Sequence, residues 1–123
     1  MRLFLATLVF CLASVPLSAE PLTQAQIKQE ILDRAFRYEG QENGQRLSGV
    51  IAYRADGKIF IQTAENYLDG GTWQIKSNAL CTRILIARNS NEICFRITPA
   101  GIGYSTSHGF RLTPIDDNRF QGA

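Results

Sequence analysis

Beyond Gly40 the apolar positions recur every second residue, and that period predicts β-strands. Leu47, Val50 and Ala52, with Ile51 and Tyr53, supply a first strand that is apolar on both faces. Ala55-Asp56-Gly57-Lys58 is a hairpin signal, because glycine accepts the positive φ of a tight turn. A return strand follows over 58–63, then a loop over 66–71, a strand over 72–76 and a turn at Asn78. Further strands are expected over 80–87 and 92–98, separated by a turn at 88–91. Pro99-Ala100-Gly101 turns the chain again, and 102–106 with 110–115 form a last hairpin around Ser107-His108-Gly109. Seven or eight short strands at a spacing of about 8–12 residues are the mark of a barrel or sandwich. No later segment is long enough for a crossover helix, so the strands should be antiparallel. The expected fold class is mainly β: a small antiparallel meander barrel or half-barrel with one N-terminal helix.

That helix is announced by a change of period. Thr23-Gln24-Ala25-Gln26 is a capping box, with Leu22 and Ile27 placed as its hydrophobic staple. Ile27, Ile31 and Ala35 recur at helical spacing, and Tyr38 extends the stripe. Glu30 with Arg34 and Asp33 with Arg37 would form i,i+4 pairs on it. The helix should stop before Gly40 and pack its narrow stripe on an end or face of the sheet. If it ends early, 34–38 is strand instead.

The first nineteen residues read as a secretory signal rather than as part of the fold. Arg2 is a minimal basic region, Leu3 to Val15 is apolar, and Pro16 precedes a Leu17-Ser18-Ala19 cleavage site. The apolar run is about 13 residues, short of the roughly 20 that span a bilayer. Val9 and Phe10 before Cys11 do not resemble a lipid-attachment site, so residues 20–123 are expected to form one barrel-like domain without membrane insertion, periplasmic or secreted. The chain has 13 basic and 11 acidic residues, and loss of Arg2 brings the excess to about +1. No basic stripe remains to suggest nucleic acid. At 45% hydrophobic and 20% charged residues the composition is globular rather than disordered.

Losing Cys11 with the leader leaves Cys81 and Cys94, which read as one disulfide in an oxidising compartment. On antiparallel neighbours, Cys81 opposite Cys94 puts Leu85 opposite Ser90 and centres the turn near Ala87-Arg88. That is earlier than the polar composition of 88–91 suggests, and a bulge would absorb the mismatch. A Cys-x-x-Cys spacing, which would favour a redox or metal site, is absent.

Chemistry is thinly represented. His108 is the single histidine, with Ser105 and Ser107 close in sequence, but no nucleophile elbow accompanies it. Asp56 and Asp69 are explained by turns, Asp116-Asp117 by a solvated end, and no Asp-x-Asp series offers a calcium site. Gly101-x-Gly103 opens no helix and so is no phosphate cradle. No catalytic residue, metal ligand or cofactor is expected.

Gly71-Thr72-Trp73, Leu80-Cys81 and Cys94-Phe95, with Tyr53, Asp56 and Gly57 upstream, resemble a pattern in a family of small secreted proteobacterial proteins of unknown function. The likeness spans roughly Gly49 to Tyr104. It implies a small periplasmic β domain with this disulfide and no particular activity. Gly-x-Trp also resembles the opening of the first lipocalin strand, although here it lies mid-chain. Ser48-Gly49 before Tyr53 is faintly similar to an element of periplasmic lysozyme inhibitors, with the tyrosine one place late. Export, small size, the β pattern and the missing catalytic groups favour a non-enzymatic binding protein for a small apolar ligand or another protein. Trp73, Tyr53, Phe60 and Phe95 are the candidate cavity lining. The alternatives are an inhibitor or interaction protein acting through a protruding loop at 66–71, and a hydrolase using His108.

Overall fold

A computed structural model describes residues 19–116. The expected signal segment lies, but for Ala19, outside the described residues. The elements are α1 (Gln24–Glu30), β1 (Arg34–Glu42), β2 (Gln45–Tyr53), β3 (Lys58–Thr63), β4 (Leu68–Lys76), β5 (Ala79–Ile84), β6 (Glu92–Phe95), β7 (Ile97–Ala100), β8 (Gly103–Thr106) and β9 (Phe110–Ile115). All nine strands belong to one antiparallel sheet in the order β6-β5-β4-β3-β2-β1-β9-β8-β7. It curls into a nearly closed barrel. The two outermost strands are consecutive in the chain, joined only through Arg96. They are halves of one expected strand, one half pairing with β5 and the other with β8. At the joint, Arg96 and Ser107 exchange hydrogen bonds: Ser107 N–H donates to the Arg96 carbonyl at 3.0 Å, and Arg96 N–H to Ser107 Oγ at 2.9 Å.

Period-two patterning fills the interior. Phe36, Ile51, Tyr53, Ile59, Ile61, Leu80, Ile84, Phe95, Ile97 and Leu112 form the barrel core. Leu22, Ile27 and Ile31 complete it from α1, which plugs one end. The capping box forms as expected, with Thr23 Oγ1 accepting from Gln26 N–H and Gln26 Oε1 from Thr23 N–H. Gln24 N–H donates to Asn78 Oδ1, and Leu22 N–H to the Ile97 carbonyl, which pins the helix to the β4–β5 turn and to β7. Among the described residues no helix is long and apolar enough to cross a membrane.

The helix is shorter than its apolar stripe. Asp33 adopts φ 59°, which ends the helical path. Its N–H donates to the Tyr53 carbonyl at 2.7 Å and its carboxylate accepts from Ala55 N–H at 2.9 Å. The chain is thereby handed to β2, and 34–38 is strand. The Glu30–Arg34 and Asp33–Arg37 helical pairs do not form. Three other boundaries move for identifiable reasons. Residues 68–71 are strand rather than loop, because β4 runs so close to β5 that a side chain on Gly71 would strike the Arg83 carbonyl. β5 ends at Ile84 rather than Ala87, because the Asp69 carboxylate captures the Ile86 and Ala87 N–H groups. Pro99 and Ala100 are strand rather than turn: β7 is an edge, where a missing N–H costs no ladder bond.

Cys81 faces Cys94 across the β5–β6 ladder, with the two sulfurs at disulfide distance. The expected register holds as far as Arg83 opposite Glu92. The connection over 85–91 then leaves the ladder without a bulge in either strand.

Candidate functional site

The turns divide the barrel into unlike ends. α1 and the β2–β3, β4–β5 and β7–β8 turns close one of them. The β1–β2, β3–β4, β5–β6 and β8–β9 turns surround the other, and beneath them the interior is not filled. A cavity of about 130 Å³ lies there. Its deep wall is apolar, made by Ile51, Ile61, Ile84, Phe95 and Leu112 around the Tyr53 ring. Its mouth is formed by Glu42, Arg88, His108 and Phe110.

Two glycines on interior positions shape this space. Gly40 pairs with Phe110 across β1 and β9, and a Cβ on it would lie 2.7 Å from the Phe110 ring. Gly49 pairs with Tyr38, and a Cβ there would lie 2.8 Å from the Tyr38 hydroxyl. Glycine at these two sites lets both aromatic rings lie flat along the wall.

The mouth is held by a charged cluster. Arg88 Nε donates to Glu42 Oε1 at 3.0 Å, and Arg88 Nη2 to Oε2 at 3.3 Å. His108 Nε2 lies 3.2 Å from the same Oε1. Phe110 underlies the cluster, with the Arg88 guanidinium 6.0 Å from its ring centre and the His108 ring stacked at 6.1 Å. Burial acts to raise the Glu42 pKa. The hydrogen bonds and charges of Arg88 and His108 outweigh it and hold the carboxyl below its ordinary range. A depressed folded-state pKa contributes stability above the unfolded value, lost as pH falls through the folded one. The denaturation midpoint of the wild type should therefore exceed that of Glu42→Gln at pH 7. That difference should shrink on acidification below about 4.5, the ordinary value. Urea titrations of both proteins at pH 7 and pH 3 check this, and an advantage that grows at pH 3 would refute it.

Asp69, on the opposite rim, is satisfied by three backbone donors, from Gly70, Ile86 and Ala87. It ties the β5–β6 connection to β4, which places Arg88 over the mouth. Burial is the main influence raising the Tyr38 and Tyr53 pKa values, most strongly for the fully enclosed Tyr53. Both hydroxyls therefore stay protonated at neutral pH.

The four expected lining residues are divided by the structure. Tyr53 and Phe95 line the cavity. Trp73 lies on the interior face of β4 but at the closed end, where its indole N–H donates to the Arg54 carbonyl at 2.7 Å. Phe60 is on the outer face, 39% exposed, with the Arg54 guanidinium over its ring at 5.5 Å. The alternation that buries Ile59 and Ile61 is what turns Phe60 outward. Tyr38, Glu42, Arg88 and Phe110 were not anticipated. The period-two pattern alone carries a signal for Phe110, two residues before Leu112.

His108 sits at the mouth, but Ser107 Oγ is occupied by Arg96 N–H and Ser105 is exposed. Among the described residues neither serine is hydrogen-bonded to the imidazole. Cys81, Cys94 and Glu92 bring potential metal-ligating atoms within 4.8 Å of one another. The disulfide occupies both sulfurs, and Glu92 is paired with Lys76 at 2.7 Å and Arg83 at 3.5 Å. No family model, curated protein or solved structure matches the chain.

Proposed function

We propose that the protein is a binding module that holds one small, mostly apolar molecule in the open end of its barrel. The observation that carries this reading is the unfilled interior beneath the Glu42–Arg88–His108 mouth. Protein interiors are packed to near-crystalline density, so an apolar void of this size is normally avoided. Its volume is close to the roughly 150 Å³ of apolar cavity that admits benzene. Tyr67 on the β3–β4 connection, Leu68 at the start of β4, and Leu85 and Ile86 on the β5–β6 connection are exposed at the same end, an apolar approach to the mouth. Export to the periplasm or beyond accords with the apolar leader, with the paired cysteines and with the likeness to small secreted proteins.

Toluene added to the ¹⁵N-labelled protein should shift amide signals of Ile51, Ile61, Ile84 and Phe95 saturably. A Kd on the order of 0.1–1 mM is expected, equivalent to about −4 to −5.5 kcal/mol. Ile61→Phe, which fills the cavity from β3, should abolish the shifts while retaining a dispersed spectrum. Saturable shifts that survive in Ile61→Phe would place the ligand elsewhere. The same exposed quartet supports a second reading, in which the open end docks a protein partner. No response to any small aromatic would leave the open end to that reading.

A further inference from the structure

We propose that the molecule bound in this cavity is uncharged and carries one hydroxyl or carbonyl oxygen, which the Tyr53 and Tyr38 hydroxyls engage. This rests on the binding-module reading and specifies the class of ligand.

The interior is otherwise scrupulous about its polar groups. The Trp73 indole has the Arg54 carbonyl, the Tyr104 hydroxyl donates to Glu30 Oε1 at 3.0 Å, and Thr82 Oγ1 lies 3.5 Å from the Ile93 carbonyl. Among the described residues no buried side-chain polar atom is sealed in the core without a partner. Tyr53 and Tyr38 differ. Both line the cavity, and neither hydroxyl has a hydrogen-bond partner among the described residues. Tyr53 is only 3% exposed, so the space its hydroxyl meets is the cavity rather than bulk solvent. Tyr38 stands on the neighbouring strand, its hydroxyl over Gly49. A phenolic hydroxyl both donates and accepts, so the pair suits a ligand oxygen of either kind. A hydrocarbon would leave both groups unpaired in a dry site, and sites built this way discriminate against ligands lacking the polar atom.

The charges around the cavity argue for neutrality. Glu42 and Asp69 line it against Arg88 and His108. Arg88 is already committed to Glu42 through two nitrogens, so an incoming carboxylate meets two anions and no uncommitted guanidinium. An ammonium fares no better. The Asp69 oxygens are taken by three backbone N–H groups, and those of Glu42 by Arg88 and His108.

Phenol and toluene have nearly the same shape, and titrating the wild type with each, and with benzoate, by ¹⁵N spectra tests the proposal. Phenol should bind about five- to tenfold more tightly than toluene, the range of one net neutral hydrogen bond. Benzoate should bind at least tenfold more weakly than phenol. In Tyr53→Phe the phenol-to-toluene ratio should fall to about one, and Tyr38→Phe should reduce it partway. Should Tyr53→Phe fail to fold, Tyr38→Phe alone carries the comparison. Equal wild-type affinities for phenol and toluene, or a ratio unmoved by both substitutions, overturn the proposal and leave the binding-module reading standing. Benzoate binding as tightly as phenol also overturns it. No response to any of the three overturns both.

Discussion

Replacing Cys81 and Cys94 together by alanine is expected to lower the unfolding free energy by about 3 kcal/mol. For a domain of this size that corresponds to a melting temperature lower by roughly 10–20 °C. The bond closes a loop with a sequence separation of 13, and the chain-entropy argument gives most of the effect to the unfolded state. The folded state adds a local reason. β6 is a four-residue strand at one border of the sheet, paired only with β5. The Lys76 and Arg83 pairs with Glu92 do little to hold it, because two of the three side chains are more than half exposed. Thermal unfolding followed by circular dichroism, with the double variant compared against wild type with and without reductant, measures the loss. A difference under about 1 kcal/mol would show that the ladder alone retains β6.

Phe36→Ala is expected to cost about 3–5 kcal/mol, comparable with the whole stability of a marginal domain. Phe36 is fully enclosed at the centre of the barrel, on the strand that pairs with both β2 and β9. Its ring meets Tyr104 edge-on, with centroids 6.1 Å apart. Alanine there removes the largest fully buried side chain among the described residues and leaves a cavity in the core. Phe36→Leu should cost less than half as much, because it keeps most of the volume. Urea denaturation of the three proteins tests the order. If Phe36→Ala cost less than Phe36→Leu, β1 would be paired one residue out of register, since such a slip turns every side chain to the opposite face.

How far the sequence could be read depended on the range of the physics involved. The Thr23–Gln26 capping box, the Asp56-Gly57 turn and the strands flanking it, β2 and β3, are local, and each appears where its residues predict. The Cys81–Cys94 register could be derived because a covalent bond between neighbouring strands is itself a distance. Phe36 was hidden by competition between periods. Ile27, Ile31 and Ala35 fit a helical stripe that breaks off where Leu32 bridges to Tyr53 and Asp33 turns left-handed, its N–H and carboxylate received by residues 53 and 55. The charged mouth was invisible for the same reason at greater range. Glu42 and Arg88 stand 46 residues apart, and nothing near either one signals the other. The aromatic lining was half legible: alternation places Tyr53 and Phe95 indoors but does not say at which end, and Trp73 and Phe60 show the cost of choosing by ring alone.

The way the tube is shut has a consequence for the width of its bore. Its final seam is a bend in one continuous strand at Arg96, not a row of paired amides. A wall sealed by a crease can widen by flexing at the crease, leaving every neighbouring ladder intact. The bore can then change its width slightly without the unzipping that a fully laddered cylinder would require.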